Sequence, residues 1–192
     1  MDLIIMASGD SVRFGKNKLK LALDKEKMYE KTARIYNEAY EFEEKIIVSK
    51  YADILDYMRK KGFTPVFNDN SVLGQSYSIR LGLQKLGKKD NSAVMFAVCD
   101  QPLLKPDTIK KLILVYEKSD KSMAVLRYGQ RLGNPCIFSY KWYDELCLLR
   151  GDIGGKTIIK KHPKELLCVD IDDENELIDI DRYETYLRIL NK

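Results

Sequence analysis

The sequence predicts an α/β fold in which one mostly parallel sheet carries helices on both of its faces. Short apolar runs alternate with amphipathic segments along the whole chain, a pattern typical of parallel strands joined by helices. Hydrophobic residues make up 45% of the chain and charged residues 32%, an ordinary globular composition. The length of 192 residues fits a single domain over residues 1–192.

The individual elements follow from the spacing of apolar residues. Continuous apolar runs predict strands at Leu3–Met6, Lys45–Val48, Pro65–Phe67, Ala93–Val98, Met123–Leu126, Cys136–Phe138 and Leu167–Val169. Apolar residues three and four apart predict helices at Met28–Tyr40, Ala52–Lys60, Ser76–Leu86, Pro106–Glu117, Tyr140–Leu149 and Arg182–Leu190. Because ligands bind at the carboxyl ends of parallel strands, we expect the chemistry in the loops that follow strands.

Composition and charge exclude several classes of function. The net charge is +4 and the lysines are dispersed, which argues against nucleic-acid binding. No apolar run approaches the roughly 20 residues that span a membrane. The first residues lack the basic segment of a secretory signal and the four cysteines form no C-x-x-C pair, so we expect a cytoplasmic protein with reduced thiols. His162 is the only histidine, which makes histidine-based catalysis improbable.

A glycine-rich segment, residues 6–18, directly follows the first predicted strand. Gly9 and Gly15 allow backbone amides to approach a ligand, and Arg13, Lys16 and Lys18 add positive charge. Exposed amides and cations together stabilise a polyphosphate. The segment is not a P-loop, because five residues separate its glycines where a P-loop has four, and it contains no G-x-G-x-x-G. The alternative is a simple turn from strand to helix.

A carboxylate, Asp100, follows the most hydrophobic predicted strand, residues 93–98. If this strand neighbours the first one, Asp100 lies beside the phosphate-binding loop at the shared carboxyl edge of the sheet. Mg²⁺ is usually held by one or two carboxylates together with substrate phosphates and water, and Asp100 fits that role. The alternative is an aspartate that caps the helix beginning near Pro106.

Four further segments are weaker signals, and each alone is compatible with an ordinary loop or cap. Residues 74–82 open a helix at which Ser76 is a candidate N-cap. Residues 129–135 and 150–156 are glycine turns between regular elements. Residues 178–181 alternate Ile-Asp-Ile-Asp before the last helix, where Asp181 is a candidate N-cap.

In this order, the six segments resemble the nucleotidyltransferases that act on molybdopterin, and the cytidylyl branch more closely than the guanylyl branch. The family opening L-A-A-G-x-S-x-R-x-G-x-x-K is similar to residues 6–18. The family segments G-x-S-x-S-L-R-x-G-L, G-D-x-P, G-N-P, G-D-x-G-[AG]-[RK] and D-I-D are similar to residues 74–83, 99–102, 133–135, 151–156 and 179–181. The chain departs from the family at Ser8, where an alanine is usual, and at Cys99, where a glycine is usual.

The resemblance implies a Rossmann-like fold of the nucleotide-diphospho-sugar transferase type and an enzyme that transfers CMP from CTP to the phosphate of molybdopterin. The implied catalytic residues are Arg13, Lys18 and Asp100, with Mg²⁺ held by Asp100 and by Asp181 as the second carboxylate, for which Asp179 is the alternative. The implied nucleotide-binding residues are Ala7, Ser8, Gly9, Gly15, Lys18, Gly74, Ser76 and Ser78. The implied acceptor-binding residues are Gly133, Asn134, Asp152 and Lys156.

A reaction of this kind needs no general base, because a phosphate monoester is already an anion near neutral pH. The task of the protein is to align the reactants and to neutralise developing charge. Other members of the broader fold use sugar or polyol phosphates as acceptors, which is the alternative enzyme. A nucleotide-binding accessory protein that serves a molybdenum hydroxylase, and a non-catalytic nucleotide-binding regulator, are the alternatives from other classes.

Residue 8 also leads to an expectation about the base. The guanylyl branch resembles L-A-G-G at the opening, where a glycine leaves room for a purine. Ser8 places a β-carbon and a hydroxyl in that space, so we expect CTP to be preferred over GTP.

Overall fold

A computed structural model of the protein describes residues 1–9, 14, 17–90 and 92–190. Its strands are β1 (Asp2–Met6), β2 (Ala22–Leu23), β3 (Glu26–Lys27), β4 (Lys45–Ser49), β5 (Thr64–Phe67), β6 (Ala93–Val98), β7 (Met123–Tyr128), β8 (Arg131–Ser139) and β9 (Leu166–Asp170). Its helices are α1 (Met28–Ala39), α2 (Ala52–Lys60), α3 (Gln75–Leu86), α4 (Pro106–Glu117), α5 (Tyr143–Leu148), α6 (Lys156–Lys161) and α7 (Tyr183–Leu190). All seven predicted strands and all six predicted helices overlap one of these elements.

Seven strands form the central sheet in the order β5–β4–β1–β6–β8–β7–β9, and β2 and β3 form a separate antiparallel hairpin. β1 lies between β4 and β6 and is parallel to both, β4 is parallel to β5, and β7 is parallel to β9. Only β8 runs antiparallel to its neighbours. The prediction of a mostly parallel sheet is therefore confirmed.

The β7–β8 connection corrects one prediction. Residues 129–135 are expected to form a glycine turn, but Tyr128 pairs directly with Arg131, so only Gly129 and Gln130 turn and β8 begins at once. A two-residue connection can join only antiparallel strands, since parallel strands need a crossover of a dozen or more residues. This short turn explains why β8 is reversed within the sheet.

Three smaller differences concern elements without a clear periodic signal. The helix predicted over residues 140–149 consists of a 3₁₀ turn, Tyr140–Trp142, followed by α5. Neither α6, which has six residues, nor the hairpin of β2 and β3, which have two residues each, is predicted from the sequence. Runs of this length are too short for apolar periodicity to separate helix, strand and loop.

Apolar side chains cover both faces of the sheet. Leu3 and Ile5 of β1 belong to a core cluster that includes buried residues of α1, α2 and α4. Ile4, between them, belongs to a second cluster that includes buried residues of α3, α5 and α6. Successive side chains of a strand point to opposite faces, so β1 contributes to both layers. The prediction of helices on both faces is confirmed.

The register of β1 places the functional loops together. Its last residue, Met6, pairs with Val48 of β4 on one side and with Val98 of β6 on the other. The loops that follow these three parallel strands therefore leave the sheet at the same edge. In the part of the chain that the structure describes, no helix has both the length and the apolar character needed to cross a membrane.

At the amino end of β1, Asp2 is fully buried, accepts a hydrogen bond from the Tyr140 hydroxyl at 2.7 Å and lies 2.8 Å from the Lys89 ammonium. We expect Asp2→Ala to lower the free energy of unfolding by about 3 kcal/mol, because both partners lose a buried anion. Urea unfolding measures this. The control, Asp56→Ala, removes an exposed ion pair with Arg59 and should change stability by less than about 1 kcal/mol. Equal effects of the two changes would contradict the prediction.

Candidate active site

A cleft of about 560 Å³ opens at the carboxyl ends of β1 and β6. This volume is typical of a site for a small molecule or cofactor. The cleft is lined by predicted site residues from five different parts of the chain: Ala7, Ser8, Gly9, Lys18, Gly74, Ser78, Asp100, Asp152 and Asp181. Leu19, Ser71, Val72 and Gln75 also line it, and no sequence signal distinguishes them from ordinary loop residues.

The first residues of the glycine-rich loop are fixed to the end of β4. The Ala7 amide donates a hydrogen bond to the Val48 carbonyl at 2.8 Å, and the buried Ser49 hydroxyl donates to the Ala7 carbonyl at 2.8 Å. The Tyr51 hydroxyl donates to the Gly9 carbonyl at 3.1 Å. The backbone that enters the loop is thus held by three contacts. Arg13 and Gly15 lie outside the described residues, so their roles stay predictions.

The Lys18 ammonium lies between two carboxylates at the centre of the cleft. It is 2.7 Å from Asp100 Oδ2 and 2.7 Å from Asp181 Oδ1. Burial disfavours the charged form of Lys18, but the charges and hydrogen bonds of Asp100 and Asp181 outweigh it and raise the lysine pKa. Lys18 is therefore a cation at any physiological pH. Lys18, at the end of the glycine-rich segment, thus contacts Asp100 as expected, and Ala7, Ser8 and Gly9 line the same cleft.

The second oxygen of Asp100 is a candidate metal ligand. Asp100 Oδ1 is buried and accepts no hydrogen bond from any residue that the structure describes, and a buried polar atom of this kind calls for a partner. Carboxylate oxygens are the hard ligands that Mg²⁺ takes. Among the described residues, no group of three or more His, Cys, Asp or Glu side chains is arranged to hold a metal ion. The buried carboxylate oxygen of Asp100 fits a Mg²⁺ ion that would share its coordination with substrate phosphates, as Mg²⁺ usually does.

Asp179 and Asp181, which the sequence offers as alternatives for the second carboxylate, make different contacts in the structure. Asp181 pairs with Lys18, whereas Asp179 Oδ1 accepts a hydrogen bond from the Gln101 side-chain amide at 2.9 Å. Burial, together with the nearby charge of Asp100, raises the pKa of Asp179 to about 6. The Ile180 amide donates to the Asp100 carbonyl at 2.9 Å and so attaches this segment to the end of β6.

Cys99, which stands where the family has glycine, is not a nucleophile. Its side chain is almost completely buried in the core cluster that includes α1 and α4. Burial raises the pKa of its thiol to about 12, so the reactive thiolate is absent at neutral pH.

The start of α3 packs closely on the loop of residues 150–156. Gly74 has a φ of 81°, and a β-carbon there would lie 2.6 Å from the Asp152 backbone nitrogen, so both conformation and space require glycine. The Ser76 hydroxyl donates to the Gly151 carbonyl at 2.7 Å and does not line the cleft. Ser78 lines the cleft and accepts a hydrogen bond from the Asn68 amide at 3.0 Å. The nucleotide-binding roles of these residues stay predictions.

Of the four predicted acceptor residues, the cleft contains one. Asp152 lines it, and its Oδ1 accepts a hydrogen bond from the first amide of α3, that of Gln75, at 3.3 Å. Gly133 lies in β8, where a β-carbon would be 2.5 Å from the Leu177 side chain, so packing alone requires glycine there. Gly133, Asn134 and Lys156 are not among the cleft-lining residues. Their role toward an acceptor stays a prediction.

Three known proteins illustrate what the chain is similar to. The purine catabolism protein PucB of Bacillus subtilis (strain 168) is 24% identical over 193 residues, which cover 95% of this chain and 92% of that protein. The manganese complex of Rv0371C from Mycobacterium tuberculosis H37Rv aligns with a TM-score of 0.74 at 22% identity, covering 100% of this chain and 98% of that one. Molybdopterin-guanine dinucleotide biosynthesis protein A from Archaeoglobus fulgidus aligns with a TM-score of 0.70 at 15% identity, covering 100% and 97%.

The two solved structures share the fold of this chain, so the prediction of a fold of the nucleotide-diphospho-sugar transferase type is confirmed. Residues 3–166 match the profile of the MobA-like NTP transferase domain. This match covers most of the chain and agrees with the motifs at Lys18 and Asp100, which lie within it. The chain belongs to the MobA-like NTP transferase family, and the molybdopterin nucleotidyltransferase resemblance of its sequence is thereby confirmed.

Proposed function

We propose that the protein transfers CMP from CTP to the phosphate of molybdopterin, with Mg²⁺ and with release of pyrophosphate. The observation that carries the proposal is the arrangement of Lys18 between Asp100 and Asp181 in the cleft, in a chain of the MobA-like NTP transferase family. A triphosphate is bound and activated by positive charge. The fixed ammonium of Lys18 and a divalent ion held by the carboxylates would together supply it.

Asp100 and Asp181 would hold the Mg²⁺ ion. Asp100 offers a buried oxygen to which no described residue donates a hydrogen bond, and Asp181 lies across Lys18 from it. When bound, Mg²⁺ would neutralise negative charge on the phosphate oxygens. The manganese complex of the Mycobacterium tuberculosis protein of the same fold supports a divalent cation in this role.

In the proposed reaction, a phosphate oxygen of the acceptor forms a bond to the α-phosphorus of CTP. The bond between the α-phosphorus and the oxygen that bridges to the β-phosphorus breaks, and pyrophosphate leaves with that electron pair. The Lys18 ammonium, charged throughout because its pKa is raised, stabilises the negative charge that moves to the leaving group. Arg13 is proposed to share this work.

The cleft offers a place for each reactant. We assign the nucleotide to the side formed by Ala7, Ser8, Gly9 and Ser78, and the acceptor to the side of Asp152. The Archaeoglobus fulgidus protein of the same fold, which is named for molybdopterin-guanine dinucleotide biosynthesis, supports molybdopterin as the acceptor. Transfer of the product to a molybdenum hydroxylase is the partner interaction that we propose with it.

A release assay for pyrophosphate with each of the four triphosphates, with and without molybdopterin, tests the proposed function. Release that depends on molybdopterin supports it. Release with a sugar or polyol phosphate but not with molybdopterin would assign the alternative acceptor. Tight nucleotide binding without any release would instead identify an accessory factor or a regulator.

We expect Asp100→Asn to lower turnover by about 100-fold or more, since it keeps the shape of the side chain but removes the charge that attracts the metal. The Asp100 carbonyl still accepts from Ile180, so the fold should survive. The matched control is Asp107→Asn, an exposed aspartate in the first turn of α4, which should leave turnover unchanged. Near-normal Mg²⁺-dependent turnover in Asp100→Asn would rule out the assigned role.

We expect the wild-type protein to bind CTP more tightly than GTP. The β-carbon of the buried Ser8 reduces the space in the cleft that a purine base would need. The Ser8 hydroxyl donates to the Val48 carbonyl at 3.2 Å, so the side chain is held in place. One carbon of steric difference is worth about 1–3 kcal/mol. Competition binding of the two nucleotides with Mg²⁺ measures the preference.

The variants of residue 8 identify the group responsible for this preference. Ser8→Gly removes the β-carbon and should narrow the preference, whereas Ser8→Ala keeps the β-carbon and should retain it. Equal or reversed affinity of the wild-type protein for CTP and GTP would refute the steric explanation.

A further inference from the structure

The last carboxylate of the site is delivered by a segment that lies outside the part of the chain matched by the family profile. Residues 171–181, here called the strap, run from the end of β9 to Asp100 and carry both Asp179 and Asp181. The profile match ends at residue 166. Asp181 is about half exposed and takes part in the site only if the strap holds it there.

Two side chains from other elements hold the strap at Asp179. Gln101, which is 5% exposed, donates its side-chain amide to Asp179 Oδ1 at 2.9 Å. The Arg131 guanidinium at the start of β8 lies 3.7 Å from Asp179 Oδ2 and donates a hydrogen bond to the Leu177 carbonyl. Each oxygen of the Asp179 carboxylate therefore has its own partner. Such two-sided contact fixes the orientation of the carboxylate, and a single contact would leave it free to rotate.

Backbone hydrogen bonds link the position of Asp179 to that of Asp181. The Asp181 amide donates to the Asp179 carbonyl at 3.1 Å, which closes a tight turn, and the intervening Ile180 amide is bound to the Asp100 carbonyl. Ile180 itself is fully buried. With these constraints, the position of Asp179 determines the direction in which Asp181 points.

We propose that Gln101 and Arg131 are positioning residues that act through Asp179 to hold the Asp181 carboxylate opposite Asp100. They do not line the cleft, and their effect is on the metal-binding pair, so the inference rests on the proposed function. Residues that orient metal ligands in this way typically change metal affinity by about 10- to 100-fold when they are replaced.

The chain offers a matched control at the other end of the strap. Arg127 of β7 makes a two-pronged ion pair with Asp170, at 2.6 and 2.8 Å, directly before the strap begins. Arg127 and Arg131 are both partly exposed and both pair with a carboxylate of the C-terminal region. Arg127→Met therefore loosens the same region without touching Asp179.

The test measures CTP affinity by isothermal titration calorimetry, once with Mn²⁺ and once in EDTA. The readout is the dissociation constant of CTP in EDTA divided by that with Mn²⁺. A ratio above one reports the contribution of the metal to CTP binding. We expect Arg131→Met and the nearly isosteric Gln101→Met to reduce this ratio about tenfold or more, with metal-free CTP affinity unchanged. Arg127→Met should leave the ratio at the wild-type value. Arg131→Lys, which keeps a charge near Asp179, should give an intermediate ratio.

The outcomes separate the inference from the proposed function. A wild-type ratio near one, with no gain from Mn²⁺, would overturn both. A clear wild-type gain that Gln101→Met and Arg131→Met leave intact would overturn the positioning role alone. Equal losses in Arg127→Met and Arg131→Met, or a parallel loss of metal-free affinity, would show general loosening of the strap and would also overturn it. If Arg131→Met does not fold, Gln101→Met and Arg131→Lys decide the matter in the same way.

Discussion

Three distant parts of the chain meet at the Lys18 ammonium, which pairs with Asp100 from the end of β6 and with Asp181 from the strap. Lys18 and Asp100 are both largely shielded from water. Charges in such places are tolerated when they are paired and hydrogen-bonded. The ion pairs therefore constrain the structure around them: the glycine-rich loop, the loop after β6 and the strap are all held where charge balance requires them.

The order of the strands makes this meeting possible. From β1 the chain adds β4 and then β5 on one side, and afterwards crosses to the other side to form β6. Loops that leave β1 and β6 diverge at such a switch point and leave a crevice at the carboxyl ends of the strands. The cleft with Lys18 and Asp100 occupies this crevice. The antiparallel β8 then brings Arg131 to the same side, because its reversed direction places its first residues, rather than its last, near the strap.

The sequence predicts those parts of the site that depend on local signals. Lys18 follows a glycine-rich turn and Asp100 ends a strongly apolar strand, and both patterns are visible in a short window. The choice between Asp179 and Asp181 depends on the hydrogen bond from Ile180 to the Asp100 carbonyl, a contact across 80 residues with no local signature. Gly133 illustrates the opposite case, since the sequence indicates an acceptor loop whereas the structure accounts for the glycine by the close approach of Leu177.

The strap also connects the Asp100–Asp181 pair to Phe14 of the glycine-rich loop through a shared apolar cluster. Ile180 packs with Phe14, Leu23 and Met28, and the Phe14 ring contacts Tyr183 and Tyr186 of α7 edge-on, with centroid distances of 5.7 and 6.4 Å. The buried Ile180 lies between Asp179, which accepts a hydrogen bond from Gln101, and Asp181, which pairs with Lys18. One apolar residue thus anchors the strap to the glycine-rich loop while its two neighbours supply carboxylates to the site. Phe14 of the glycine-rich loop, Ile180 of the strap and the aromatic rings of α7 consequently pack together, and the residues beyond the matched family profile contribute to this cluster.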